Sequence, residues 1–339
     1  MPGIPRSMPL LLAGMVLGAC CAAAPAPDSG AVLAITEVKP GVFVHAGMLD
    51  DWGPGNGGDV ANLGFIVGRR CVAVIDTGGT PAVGRALLAS IERTTPLPIC
   101  WVINTHAHPD HVLGNAAFVN AGSTAPHFVA HARFTRALAA RETYYLNALE
   151  RDFGLRLTHA SIVYPDTVVE TSLDLDLGDR VLTLRAWPTA HTDNDLTVYD
   201  QRTRTLFTSD LLFVQHLPVL DGSLRGWLAV MADLARIPAD MVVPGHGSLS
   251  TDGSAVLATQ ASYLEALARD TRSAIHDHRT IQQAVDSITV PAGSHWLLGE
   301  RFHRRNVTAA YAELEWEDIP PTTAEPPPRS PSSPQRSRP

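Results

Sequence analysis

Three histidines and one aspartate fall within the heptapeptide Thr-His-Ala-His-Pro-Asp-His, residues 105–111. This run directly follows an apolar, strand-like segment. Neutral imidazole nitrogens and carboxylate oxygens are the usual ligands of zinc and related transition metals. Side chains this close in sequence can point at one spot or at two adjacent spots. The run therefore indicates a metal centre built from His106, His108, Asp110 and His111.

Three further polar residues lie where later strand-like segments end. His191 and Asp210 follow such segments, and His246 lies in a Pro-Gly-His-Gly turn after another. Loops at strand ends are where functional residues concentrate, so these three are expected to join the first four at one sheet edge. Asp210 has an alternative role as the N-cap of the next segment. Asp76, before Thr-Gly-Gly, is able to cap the helix that follows it.

The strands and helices that must position these residues can be read from local composition. Segments rich in β-branched residues, bounded by turn residues, predict nine strands. They span 42–45, 62–67, 72–75, 101–104, 127–130, 181–186, 196–199, 205–207 and 241–243. Helical patterns occur at 81–93, 133–153, 222–234 and 254–279. Alternation of the two predicts an α/β layered domain.

The first 20 residues have the features of an export signal. Arg6 precedes a short apolar stretch, Leu10–Leu17, which is too short to span a bilayer. The stretch ends in Leu-Gly-Ala-Cys20, which resembles a bacterial lipobox and would make Cys20 a lipidated membrane anchor. The alternative is cleavage within residues 21–24, which would give a soluble protein. Either route predicts an exported, periplasmic location.

Composition sets the limits of the folded body. Residues 21–30 are expected to form a tether, residues 31–316 one domain, and the proline-rich stretch 317–339 a disordered tail. A net charge of -8 argues against a nucleic-acid partner. Cys71 and Cys100 each start a strand-like run, at the opposite end from the histidines. If those strands are parallel neighbours, a disulfide fits the geometry. The alternative is that both cysteines are small buried hydrophobes.

Taken together, the motifs resemble those of the metallo-β-lactamase superfamily. The order H-x-H-x-D-H, then His, Asp and His, covers roughly residues 42–247, and Val74-Ile-Asp76-Thr-Gly matches an upstream stretch of that family. The resemblance implies a four-layer αββα sandwich with two zinc ions at one edge. It implies that His106, His108 and His191 bind the first ion, that Asp110, His111 and His246 bind the second, that Asp210 bridges both, and that Asp76 supports the site without binding metal.

The residue at position 210 narrows the activity that the resemblance implies. True β-lactamases of this fold usually have Cys or Ser there, whereas glyoxalase-II-like thioesterases and many other hydrolases of the fold have Asp. A second resemblance is to exported zinc metallohydrolases of quinoprotein relay systems. It rests on residues 61–68, 71–79, 111–115 and 219–227, and it implies a functional link to quinoprotein dehydrogenases.

The expected function is therefore hydrolysis of a small acyl-type substrate, a thioester, ester or lactone, by a zinc-activated hydroxide. Asp110 would bind one ion and orient the nucleophile. The alternatives are β-lactamase activity, an iron-dependent redox enzyme of the same fold, and an accessory factor for a periplasmic quinoprotein dehydrogenase. His216 is either at the pocket rim or an ordinary loop histidine. Trp52 is either a lid residue or an exposed one, and Trp227 is expected to pack on a helix face.

Overall fold

The computed structural model describes residues 31–121 and 125–317. The predicted signal segment with Cys20, the tether and residues 318–339 of the predicted tail lie outside this part. Glu317 belongs to the described body, because its carboxylate pairs with Arg272 at 2.7 Å and with Arg225 at 3.2 Å. Within the described residues, no helix is both long and apolar enough to cross a bilayer.

Two mixed β-sheets form the centre of the fold. The first has seven strands in chain order, with antiparallel pairing through β4 and parallel pairing from β4 to β7. Its strands are β1 (Thr36–Lys39), β2 (Val42–His45), β3 (Leu63–Val67), β4 (Val72–Ile75), β5 (Ile99–Ile103), β6 (His127–His131) and β7 (Thr167–Val169).

The second sheet has five strands in the order β12-β11-β10-β9-β8. All of its pairs are antiparallel except β11 with β12. Its strands are β8 (Ser172–Asp176), β9 (Val181–Ala186), β10 (Leu196–Asp200), β11 (Thr205–Phe213) and β12 (Met241–His246).

Seven α-helices accompany the sheets in the described residues. They are α1 (Pro81–Thr94), α2 (Pro109–Val112), α3 (Phe134–Phe153), α4 (Leu224–Leu234), α5 (Gly253–His276), α6 (Ile281–Ser287) and α7 (Gly299–Leu314). The start of α1 follows its sequence, since the Thr80 side chain accepts a hydrogen bond from the Val83 amide and Pro81 fits the first turn.

Burial shows how the layers stack. One apolar cluster joins the inner faces of both sheets, with Ile66 and Val129 from the first and Leu184 and Phe207 from the second. A second cluster packs α1 on the outer face of the first sheet. A third packs α4, α5 and α7 against the second sheet. The predicted four-layer αββα sandwich is confirmed.

The structure extends one predicted strand and adds elements that were not predicted, among them β1, β7 and β8. Strand β11 continues to Phe213 instead of ending at 207, so Asp210 lies inside a strand and not at its end. The extension is buried throughout and contains an irregularity at Ser209, whose φ is +46°. Helices α6 and α7 were not predicted, because their apolar positions become meaningful only against the second sheet.

The two cysteines of the body meet at the start of β4 and in β5. These strands pair in parallel, and Cys71 and Cys100 form a disulfide with a Cα–Cα distance of 5.7 Å. Trp227 is fully buried in α4, where its indole N–H donates to the Leu211 carbonyl at 3.0 Å.

Candidate metal centre

The residues after β4 and β5 build the first half of the site. Asp76 has a left-handed backbone, with φ of +56°, a conformation that costs free energy and occurs at functional sites. Its carboxylate accepts the Thr105 backbone N–H at 2.8 Å, the Thr105 hydroxyl at 2.7 Å and the His111 Nδ1–H at 2.8 Å. Asp76 therefore fixes the start of the histidine run and the ring of His111.

All seven predicted ligands converge in two groups. Within each group the potential ligand atoms lie within 4.8 Å of one another. The groups are His106, His108, His191 and Asp210, and Asp110, His111 and His246. Asp210 also reaches the second group, since its carboxylate oxygens lie 3.3 Å from His111 Nε2 and 3.4 Å from His246 Nε2. Asp210 is thus placed between two adjacent potential ion positions.

Each of the five imidazoles has one nitrogen held by a partner away from the centre. Such partners set the tautomer and the ring orientation of a metal-binding histidine. The contacts are His106 Nδ1 to Thr105 Oγ1 (3.2 Å), His108 Nε2 to Asp221 Oδ2 (2.9 Å), His111 Nδ1 to Asp76 Oδ2 (2.8 Å), His191 Nδ1 to the Val219 carbonyl (2.6 Å) and His246 Nδ1 to the Val60 carbonyl (2.9 Å). The other nitrogen of every ring remains for a cation.

Buried polar atoms without partners test whether a metal fits here. His106 Nε2, His111 Nε2 and Asp210 Oδ1 are buried and have no hydrogen-bond partner. Leaving such atoms unpaired costs about 1–3 kcal/mol each, more for charged groups. Bound cations would satisfy all three, and the mixed nitrogen and oxygen donors suit zinc and its neighbours. The residues present therefore fit a metal centre.

Charge is distributed differently over the two groups. Burial lowers the pKa of His191 to about 3, and burial with the neighbouring His111 charge lowers the pKa of His106. For His246, burial opposes protonation, but the charges of Asp210 and Asp110 outweigh it and raise the pKa to about 10. Conversely, burial works against ionisation of Asp110, and the nearby imidazolium charges still lower its pKa to about 2.

Close backbone approach brings His246 into the centre. A Cβ on Gly245 would stand 1.8 Å from Asp210 Oδ1, so only glycine fits beside that carboxylate. The buried Asn62 amide donates to the Pro244 carbonyl at 2.9 Å and to the Gly247 carbonyl at 2.8 Å. Asn62 thereby clamps the turn that carries His246.

A cavity of about 550 Å³ opens over the two groups. His108, Asp110, His191, Asp210 and His246 line it, together with aromatic side chains that include Trp52, Phe213 and Phe302. Trp52 also donates from its indole to the Gly79 carbonyl at 3.1 Å and packs against Phe153. The cavity is large enough for a small-molecule substrate.

His216 lines the same cavity. Its ring centroid lies 5.2 Å from that of His246, and its Nδ1–H donates to the Leu217 carbonyl at 2.6 Å. Burial and the neighbouring His246 charge lower the pKa of His216 to about 4. His216 therefore presents a neutral ring near the centre, and it belongs to neither group of potential ligands.

Sequence reasoning missed Asp221 and the helix that holds it. Asp221 accepts from His108, and it lies in a loop that α7 fixes through Asn306, which bonds the Leu220 amide at 2.9 Å and the Pro218 carbonyl at 2.6 Å. The stretch 219–227 supported the second family resemblance, but nothing in it indicated the contact between Asp221 and His108.

A comparison with protein families decides the relationship. The model described as the metallo-beta-lactamase superfamily matches residues 56–246, more than half of the chain. The chain belongs to the metallo-β-lactamase superfamily. Members of this superfamily are typically metal-dependent hydrolases, among them sulfatases and β-lactamases. The prediction of an enzyme of this superfamily is confirmed.

Solved structures of the superfamily share the fold. A metallo-β-lactamase from Pontibacter korlensis is 22% identical over 69% of this chain and 99% of its own, with a TM-score of 0.56. The sec-alkylsulfatase Pisa1 from Pseudomonas sp. is 18% identical over 87% of this chain, with a TM-score of 0.63. The match covers 52% of the sulfatase, so this chain spans about half of that enzyme. No curated protein matched the sequence.

Proposed function

We propose that this protein is a dinuclear zinc hydrolase acting on an acyl-type substrate, a thioester, ester or lactone. One observation carries the proposal. Seven buried or half-buried ligand side chains meet in two adjacent groups with Asp210 between them, at the floor of a cavity of about 550 Å³. Three protein ligands for each ion would leave positions open to water and substrate, as catalytic zinc requires.

Asp110 and Asp76 have different roles in the proposed hydrolysis. When bound, the zinc pair supplies a water of lowered pKa and stabilises negative charge that develops on the substrate. Asp110 lines the cavity, and its Oδ2 lies 3.3 Å from His246 Nε2. Its carboxylate is placed to accept a hydrogen bond from the attacking water and so to orient it. Asp76 holds His111 in the ring orientation that leaves Nε2 free.

The cavity lining favours direct attack by water over covalent catalysis. Among the described residues that line it, none is a serine, a threonine or a cysteine. Aromatic walls around Trp52, Phe213 and Phe302 can exclude bulk water, which strengthens electrostatic interactions inside. The aspartate at position 210 favours a thioesterase-like hydrolase over a β-lactamase, following the family resemblance.

The decisive experiment assays zinc-loaded protein against thioesters, esters, lactones, β-lactams and alkyl sulfates. We expect turnover of an acyl substrate, with nearly complete loss in the His106→Ala and Asp110→Ala variants. His276→Ala is the matched control, because that histidine is exposed and does not line the cavity. Wild-type turnover that survives exhaustive chelation would overturn the proposal. Stoichiometric iron in the purified protein would instead favour the redox branch of the superfamily.

We also propose that the protein is exported and works in the periplasm beside quinoprotein dehydrogenases. The Cys71–Cys100 disulfide supports an oxidising compartment, because such bonds are rare in the cytosol. Lipidation of Cys20 would anchor the protein at a membrane surface. Mass spectrometry of the mature N-terminus distinguishes a diacylated Cys20 from a free terminus within residues 21–24. Co-purification with a quinoprotein dehydrogenase tests the functional link.

A further inference from the structure

Two arginines from different helices stand at one wall of the cavity. Arg141 in α3 and Arg305 in α7 both line it, and both contact the carboxylate of Asp221. Arg141 Nη2 lies 2.7 Å from Asp221 Oδ2, and Arg305 Nη2 lies 3.2 Å from Oδ1. Their side chains are 36% and 53% exposed, and both residues line the cavity.

The local charge balance leaves this wall positive. Asp221 supplies one negative charge against two guanidinium groups, and its Oδ2 also accepts the hydrogen bond from His108. The one other carboxylate of the described lining outside the metal groups is Asp51, which pairs with Arg301. Each guanidinium carries five N–H donors, of which Asp221 occupies a minority.

The same wall is directly coupled to the metal centre. Asp221 connects His108, a ligand of the first group, with both arginines through contacts of 2.7 to 3.2 Å. An anionic group bound by these arginines would therefore lie beside the reacting end of a substrate without occupying the ligand atoms. The aromatic side chains elsewhere in the lining, such as Trp52, Phe213 and Phe302, suit an apolar segment between the two ends.

We propose that Arg141 and Arg305 form a subsite for a carboxylate that the substrate carries in addition to its hydrolysable acyl group. Guanidinium groups recognise carboxylates through paired, charge-assisted hydrogen bonds. The inference rests on the proposed function for the identity of the reacting end. The substrate class is therefore an amphipathic acyl compound with a free carboxylate, such as a half-ester or half-thioester of a dicarboxylic acid.

Binding measurements test this subsite independently of turnover. Calorimetry compares 4-phenylbutanoate with its uncharged isostere 4-phenylbutanamide on zinc-loaded wild type, Arg141→Gln and Arg305→Gln. Arg304→Gln is the matched control, because this neighbour in α7 pairs with Asp286 at 2.6 Å and does not line the cavity. Zinc content of every variant is measured alongside, and Arg305→Lys tests whether positive charge alone restores binding.

We expect wild type and Arg304→Gln to prefer the carboxylate, and each cavity variant to bind it about tenfold more weakly, as loss of charged hydrogen bonds predicts. Amide binding should stay unchanged. Equal binding by all variants, equal weakening for both ligands, zinc loss that accounts for the weakening, or no binding of the carboxylate by wild type would each overturn the subsite. Selective carboxylate binding without any turnover would leave the subsite standing and overturn only the proposed hydrolase function.

Discussion

The two ligand groups differ in how they are held and in the charge they carry. The first group contains the imidazoles of His106, His108 and His191, whose outward nitrogens meet a hydroxyl, a carboxylate and a backbone carbonyl. The second contains two imidazoles beside the Asp110 carboxylate, with Asp210 also in reach. In the first group, which also includes the Asp210 carboxylate, burial lowers the pKa of His106 and His191. In the second group, burial opposes protonation, but the charges of Asp210 and Asp110 outweigh it and raise the pKa of His111 and His246.

This difference indicates what each group gains from a metal. In the second group, the imidazolium charges of His111 and His246 and the carboxylate charges beside them offset one another. In the first group, close nitrogens such as His108 Nδ1 and His191 Nε2, 3.1 Å apart, have lone pairs directed toward the same space. A cation relieves that crowding. We therefore expect the two positions to bind metal with different dependence on pH and on their supporting residues.

Removing the carboxylate common to both groups should have the largest effect. Asp210→Ala deletes a ligand from both positions, and we expect a loss of zinc and a fall in kcat of about 10³-fold or more. Metal analysis and steady-state kinetics measure the two effects. Asp233→Ala is the control, since Asp233 pairs with Arg236 on the surface. Full zinc content in Asp210→Ala would show that the groups do not share this carboxylate.

Substitution of the residues that support the ligands should lower the metal affinity of the two groups by different amounts. Asp76→Asn removes the charge behind His111, and Asp221→Asn removes it behind His108. Partners of metal-binding histidines are worth about 10–100-fold in metal affinity. Asp76 is nearly fully buried and accepts three close hydrogen bonds, so its variant should fall at the upper end of that range. Competition titrations with a zinc chelator measure both. Equal effects would contradict the contrast between the groups.

The sequence patterns predicted the seven candidate ligands and one supporting residue, Asp76, but not the other supports. His106, His108, Asp110 and His111 lie on one short segment, and His191, Asp210 and His246 follow segments that the sequence predicts as strands, so a pattern of residues could identify them. Their supports, by contrast, come from distant positions. Asp221 meets His108 across 113 residues, and Asn62 reaches the His246 turn across more than 180. No local signal marks such pairs.

The fold, like the site, could be predicted only in part from the sequence. All nine predicted strands have counterparts, because β-branched runs bounded by turns identify buried strands. The bulged continuation of β11 past Ser209 was not predicted, and neither were β1, β7 and β8, which are short or have exposed faces. Helix α7 was missed because its role, fixing the loop that carries Asp221, depends on tertiary contacts through Asn306.

A fall in pH should weaken metal binding by the second group more than by the first. The raised pKa of His111 and the pKa of about 10 at His246 mean that both rings are protonated at neutral pH without metal. Metal must displace those protons, so affinity there should rise with pH, by about tenfold per unit for each proton released. The pKa of about 3 at His191 predicts a flat response in the first group. Calorimetry of zinc binding between about pH 6 and pH 8 measures the pH dependence of affinity at both groups.

Loss of the disulfide should leave the difference between the two ligand groups unchanged. Cys71 and Cys100 lie at the opposite end of β4 and β5 from Asp76 and the histidine run, so their loss should alter stability and not the centre. For a sequence separation of 29 residues, the chain-entropy model gives about 3–4 kcal/mol of unfolding free energy.

Denaturant unfolding of the zinc-loaded Cys71→Ala, Cys100→Ala double variant measures that loss, with zinc content and kcat measured on the folded protein. We expect a less stable protein with two zinc ions and wild-type kcat, because the hydrogen bonds that orient His106 and His111 involve neither cysteine. A fall in zinc content under conditions where the variant remains folded would mean that strain at one end of these strands reaches the other. The geometry of the two ligand groups would then depend on more than the residues that contact them directly.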